Sequence, residues 1–181
     1  MSYWKIFDLP IWASIAIPTV LGFLCGSTTR TSVNTWYKDL RKGPLTPPSW
    51  VFPVVWGIIY PVMGYTAYLV SRQAFHSKNH DLAELAQHGL VLYYIQLFVN
   101  ILWSPIFFIL KRIDFALAEI IVLDVLIILT AVNFYQVERI AGLLWIPYVA
   151  WALFATYTTF VTMRLNPVQA YGGQENRPLL N

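Results

Sequence analysis

From Leu85 to Leu110 the chain reads LAQHGLVLYYIQLFVNILWSPIFFIL, 26 residues without one Asp, Glu, Lys or Arg. After the short link Lys111–Asp114 it resumes as FALAEIIVLDVLIILTAVNFY, from Phe115 to Tyr135. About 20 apolar residues suffice to cross roughly 30 Å of hydrocarbon as a helix. Lipid offers the backbone no hydrogen-bond partner, so only helices and closed barrels span it. The residue-by-residue alternation of a barrel strand is absent. Both stretches therefore read as membrane-spanning helices, and so short a link makes them antiparallel neighbours.

Working outward, three more charge-free gaps have the required length. They are 9–29 (21 residues), 43–71 (29 residues) and 140–163 (24 residues). The fold class expected is all-α integral membrane, a five-transmembrane-helix bundle over residues 1–165, with helices at about 10–29, 47–70, 88–110, 115–135 and 143–163. The polar tail 166–181, with Pro167, Gly172, Gly173 and Pro178, is expected to be disordered. The first apolar run is broken by Pro18, Gly22 and Gly26 and preceded by both Lys5 and Asp8, so it reads as a retained helix rather than a secretory signal.

Composition agrees. Of 181 residues, 57% are hydrophobic and 17% aromatic, while only 12% are charged, about half the share of an ordinary soluble domain. Twenty-one charged side chains cannot clothe a soluble protein of this size. The net charge of +3 is mild and its basic residues are scattered between apolar runs, which argues against nucleic acid as a partner. A single cysteine, Cys25, excludes an internal disulfide and a cysteine-rich metal site, and no metal is expected. His76, His80 and His88 fall in one polar stretch and read as solvated loop residues. Counting Lys and Arg on the two sides gives four against eight, the eight including Arg30, Lys38, Arg41 and Lys42. The positive-inside rule then places the C-terminus and the 30–46 loop in the cytoplasm.

The residues that carry chemistry are aromatic and amide. Trp36–Tyr60 reads WYKDLRKGPLTPPSWVFPVVWGIIY; Phe52, Trp56 and Tyr60 recur every four residues and form one stripe. Pro48 is expected in the first turn of this helix and Pro61 to kink it. Trp36, Tyr37 and Trp50 suit an interfacial belt, whereas Trp56 and Tyr60 lie too deep for one. On the next helix Gln96, Asn100, Trp103 and Phe107 share a face. Amides in hydrocarbon are costly unless bonded, so they serve either interhelical hydrogen bonding or a ligand pocket. Glu119 and Asp124, five residues apart, do not make a close acid/base pair. Glu119 is expected to pair with Lys111 or Arg112 at the membrane edge, and Asp124 is the deeper of the two carboxylates. Tyr148, Trp151, Ala155 and Thr158 share a face of the last span. Gly22 and Gly26 form a GxxxG that suits ordinary helix packing or a homodimer seam. No phosphate-binding glycine loop, HExxH or Ser/His/Asp arrangement occurs, and no catalytic residue is assigned.

In this order across five spans, Trp36-Tyr37, Leu40, Pro44, Pro47-Pro48, Trp50, Trp56, Tyr60, Gln96-Leu97, Asn100, Trp103, Pro105, Phe107-Phe108, Ala141–Leu144, Pro147-Tyr148, Trp151 and Phe154–Thr156 resemble the TspO/MBR family of translocator proteins. The resemblance covers roughly residues 18–164. It implies a membrane receptor or carrier, often dimeric, that binds tetrapyrroles such as protoporphyrin or haem, and sterols in animal members, with no cofactor required. It implies a pocket lined by Gly26, Thr29, Phe52, Pro53, Trp56, Tyr60, Phe115, Ala118, Val122, Trp151, Ala155 and Thr158, with Asn100 and Trp103 matching the family pattern nearby. An alternative it carries is light- and oxygen-dependent porphyrin degradation; the carboxylates Asp124 and Glu119 offer another, proton- or ion-coupled transport. The implied location is the mitochondrial outer membrane for a eukaryotic source and the cytoplasmic membrane for a bacterial one.

The chain departs from the family at two places. Thr158, Thr159 and Phe160 stand where a Leu-Asn-Tyr is usual, and Phe115 replaces a tryptophan of animal members. The cholesterol motif proposed for those members allows at most five residues per gap; from Tyr157 to Arg164 there are six. Motifs of that kind are weak.

Overall fold

The structure, a computed structural model, describes residues 7–167. In chain order the helices are α1 (Ile11–Asn34), α2 (Trp36–Asp39), α3 (Val51–His76), α4 (His80–Ser104), a π-helical turn (Pro105–Ile109), α5 (Ile113–Val137), α6 (Arg139–Leu143) and α7 (Ile146–Leu165). Among the described residues five spans are long and apolar enough to cross a membrane: α1, α3, α4 with its π turn, α5, and α6 with α7. The bundle is all-α, as expected. The tail beyond Pro167 lies outside the described residues.

The helices outrun the gaps that reveal them. α1 carries Arg30 within it, and α3 continues through Arg72 to His76. The three histidines expected in a loop are helical instead: His76 closes α3, His80 and His88 lie on α4, and the link between is only Ser77–Asn79. A charge-free gap measures the hydrocarbon, whereas a helix stops where its backbone finds a cap. Asn79 supplies one: its Oδ1 accepts the Leu82 N–H at 3.2 Å, and Asp81 adds negative charge at the helix's positive end.

Prolines punctuate the spans. α3 starts at Val51, so Pro53 rather than Pro48 occupies its first turn, and Pro48 instead accepts the Val51 N–H at 3.0 Å. α3 runs on through Pro61 to His76. Pro105 cannot supply the N–H that would close on Ile101, and there α4 widens into the π turn. The Ile101 carbonyl left over accepts the Cys25 thiol of α1 at 3.7 Å. Lys111, at φ 54°, then reverses the chain in the left-handed region.

α1 packs chiefly on α3, α4 on α5, and α5 on α7. At the α1–α3 crossing Gly64 lies directly against the Ser14 carbonyl and the Ile15 Cα, while Gly22 lies against the ring of Tyr60. Gly22 thus serves intramolecular packing, and Gly26 has no neighbouring atom where a side chain would stand. The main core runs through α3, α4, α5, α6 and α7 and includes Met63, Val70, Tyr93, Ile127, Phe134 and Trp145. A second cluster of Tyr37, Leu40, Phe107, Ile113 and Ala116 lies under the 30–46 segment. That segment then runs along α7: the Asn166 amide accepts the Arg41 N–H at 2.9 Å and donates to the Arg41 and Thr162 carbonyls at 2.8 and 2.7 Å.

Candidate functional site

The aromatic stripe of α3 faces α7, and the two helices meet through rings rather than backbones. Trp56 stacks on Tyr60 with centroids 5.1 Å apart and meets Tyr148 edge-on at 6.0 Å. One turn nearer the 30–46 segment, Phe52 meets Trp151 edge-on at 5.7 Å, and Trp151 contacts Phe154 at the same distance. Such edge-to-face geometry matches the ring quadrupoles and adds roughly 0.5–1.5 kcal/mol per pair beyond area burial. Both indoles are half-buried.

Beneath the rings lies a hydrogen-bonded floor. The Tyr60 hydroxyl donates to Asn100 Oδ1 at 2.8 Å, and Asn100 Nδ2 donates to the Tyr148 hydroxyl at 2.9 Å. That hydroxyl in turn donates to Gln96 Oε1 at 3.1 Å. All four side chains are buried, Gln96 completely. The chain of bonds links α3, α4 and α7 and leaves one donor, Gln96 Nε2, without a partner among the described residues. The amide stripe read from the sequence is therefore first of all interhelical bonding, and it fixes the height at which Trp56 and Tyr60 sit.

A groove of about 390 Å³ opens on the flank between α3 and α7, lined by Val55, Ile58, Ile59, Pro147, Ala150, Trp151 and Phe154. Its size falls in the roughly 300–1,000 Å³ range of small-molecule sites. The lining is apolar, so it suits a flat hydrophobic guest whose polar groups lie elsewhere.

The remaining expected site residues scatter. Ala155 is half-buried and packs against the core, and the Thr158 hydroxyl is spent on the Ala155 carbonyl at 3.0 Å. Thr29 is buried, its hydroxyl turned to the Cys25 and Gly26 carbonyls of its own helix. Pro53 and Gly26 are exposed. Trp103 belongs with the second cluster, stacked on Phe107 at 4.9 Å. Phe115, Ala118 and Val122 are exposed on α5, away from the ring pairs; the Phe115 ring is covered by the Arg112 guanidinium at 3.7 Å.

The structure corrects the expectation for Glu119. Arg112 is bidentate to Asp114 at 2.8 and 2.6 Å, and both Glu119 oxygens are buried without a hydrogen-bond partner among the described residues. Helix geometry explains the choice: Asp114 at i+2 is within direct reach of Arg112, and Glu119 lies two turns further into the membrane. Asp124 is buried and accepts the Thr156 hydroxyl of α7 at 2.7 Å. Thr156 stands in the sequence only as the end of the Phe154–Thr156 match, and nothing in the chain pairs it with Asp124. Tyr148 was legible, three residues before Trp151 on one face, but nothing in the chain pairs it with Asn100.

Within the 30–46 segment, Lys42 lies over the Tyr37 ring at 4.6 Å and donates to the Lys38 and Leu40 carbonyls at 3.2 and 3.3 Å. Burial lowers the Lys42 ammonium from its ordinary pKa, opposed by nearby Asp39, and burial raises the Tyr37 phenol. Lys38 and Arg41 are exposed. No group of three His, Cys, Asp or Glu that could hold a metal occurs among the described residues.

Residues 14–164, all five spans, match the TspO/MBR family. The chain belongs to that family. A Tryptophan-rich protein TspO of Archaeoglobus fulgidus is 35% identical over 87% of this chain and 97% of its own length. Protein CrtK of Rhodobacter capsulatus is 38% identical over 75% of this chain and 81% of its own, and the human Translocator protein 37% over 72% and 75%. This TspO/MBR protein is thus a multi-pass membrane protein with relatives in archaea, bacteria and animals.

Proposed function

We propose that this protein binds flat, largely apolar ligands between α3 and α7, with tetrapyrroles such as protoporphyrin or haem as the main class and sterols as the second. The observation that carries the reading is the pair of half-buried indoles from separate helices, Trp56 and Trp151. Each is oriented by an aromatic neighbour, and Trp151, with Val55 and Ile59 of α3, lines an apolar groove of about 390 Å³. Ring faces at two depths stack a macrocycle, and exposed Lys38 and Arg41 meet its carboxylates at the membrane edge. The name Translocator protein carried by animal relatives supports passage of the guest through the bundle. The test is saturable quenching of tryptophan emission by protoporphyrin in detergent. Trp56→Ala and Trp151→Ala should each weaken affinity at least about tenfold, the loss of one or two ring contacts. Unchanged affinity in both removes the site.

The buried carboxylates favour a second reading, coupling of that passage to protons or cations. Glu119 and Asp124 lie within the bundle, and among the described residues Asp124 holds only Thr156. Proteoliposome flux that Asp124→Asn leaves untouched ends this reading.

A further inference from the structure

The two ends of the bundle differ in charge far more than the net +3 suggests. At the end formed by the close of α1, the 35–50 segment, the α4–α5 link and the close of α7, the described residues carry seven cations: Arg30, Lys38, Arg41, Lys42, Lys111, Arg112 and Arg164. Only Asp39 and Asp114 stand against them there. At the opposite end Arg72, Lys78 and Arg139 face Asp8, Asp81, Glu84 and Glu138. Of the seven cations Arg112 alone has a carboxylate within ion-pair distance among the described residues.

These charges lie where the apolar spans stop, at headgroup depth. Aromatic rings share that level: Trp50 is 67% exposed, Lys111 lies over Trp36 at 5.9 Å, and Trp36 and Tyr37 are held edge-on by Phe107 at 5.7 and 6.0 Å. A free anion would need only the cations. A ring of cations around an interfacial aromatic belt fits a ligand that is charged at one end and apolar at the other. We propose that this end is a binding surface for anionic phospholipid headgroups. Guanidinium forks donate in pairs to phosphodiester oxygens while the indoles rest among the upper acyl carbons. The surface draws lipid of one charge class around the end of the bundle that carries the 30–46 segment.

The test uses the full chain in nanodiscs of equal phosphatidylglycerol and phosphatidylcholine, with retained lipids counted by native mass spectrometry. Arg30, Lys111 and Arg164, which the ligand reading does not use, are changed together to Gln; Arg72, Lys78 and Arg139 changed to Gln form the control at the other end. The wild type and the control should retain phosphatidylglycerol over phosphatidylcholine by at least about threefold, and the first triple variant should lose most of that preference. Equal losses in the two triples, or no preference in the wild type, overturns the proposal. So does inorganic phosphate that protects the protein from thermal unfolding in detergent as well as phosphatidylglycerol does, because the surface then reads any anion. If the first triple does not assemble, the wild type decides. Its preference must fall between about 0.05 and 0.5 M salt, as exposed charges are screened, and a salt-independent preference refutes the surface.

Discussion

Tyr148→Phe separates a ring from its hydroxyl at a residue that, like Tyr60, belongs to both the aromatic wall and the polar floor. The phenol is buried and makes two hydrogen bonds, accepting from Asn100 Nδ2 at 2.9 Å and donating to Gln96 Oε1 at 3.1 Å. Loss of the oxygen strands both groups, although Tyr60 still serves Asn100 Oδ1. Interhelical bonds in membranes average about 0.6 kcal/mol, which sets a floor near 1.2 kcal/mol for the two. A fully buried polar group without a partner costs about 1–3 kcal/mol. Gln96, at 0% exposure with one donor already unpartnered, has no solvent to turn to, so the higher scale governs it. We expect a loss of about 2–3 kcal/mol by titration with a denaturing detergent, and about half that for Tyr60→Phe, which breaks one bond. Because the ring that meets Trp56 remains, protoporphyrin affinity should change less than about threefold, against at least tenfold for Trp56→Ala. A stability loss under about 0.5 kcal/mol refutes the floor. An affinity loss equal to that of Trp56→Ala refutes the division of labour between ring and hydroxyl.

Helix approach gives a second test. Any side chain at Gly64 runs into α1 backbone that cannot yield, so Gly64→Ala should cost about 1–3 kcal/mol. Gly57→Ala, facing open space, should be neutral or stabilise by up to about 1 kcal/mol in the same titration. Glu119→Gln removes a buried carboxyl that no described group bonds, and should leave the unfolding midpoint unchanged or higher; a clear drop means the carboxyl holds a partner. At alkaline pH the unfolded chain ionises its tyrosines near pH 10, whereas burial keeps Tyr37 protonated above that value. Folding then loses stability as pH rises from about 10 through the raised folded value, and Tyr37→Phe should flatten that decline in unfolding midpoints measured from pH 8 to 11. Asn166→Ala removes the two hydrogen bonds that tie Arg41 to the end of α7, and should speed release of bound protoporphyrin in stopped-flow measurements while lowering the melting midpoint little.

Four charge-free gaps, and the strongly apolar run 115–135 despite its Glu119 and Asp124, determined that the chain spans a membrane five times, because hydrocarbon thickness acts on local composition and needs no long-range contact. The same local logic made Phe52, Trp56 and Tyr60 one stripe and set Tyr148 beside Trp151. The ends of the helices were less legible: Arg30 and Arg72 sit inside α1 and α3, since a helix can leave the bilayer without ending. Which groups meet was settled only by the packing. Gln96 and Asn100 find Tyr148 and Tyr60 across two interfaces, Thr156 finds Asp124, Arg112 takes Asp114 and leaves Glu119 alone, and Asn166 reaches back 125 positions to Arg41. Periodicity fixes the angle of a side chain about its own helix; the rotation and depth of one helix against another come from ridges, glycine contacts and hydrogen bonds that exist only once all five are assembled.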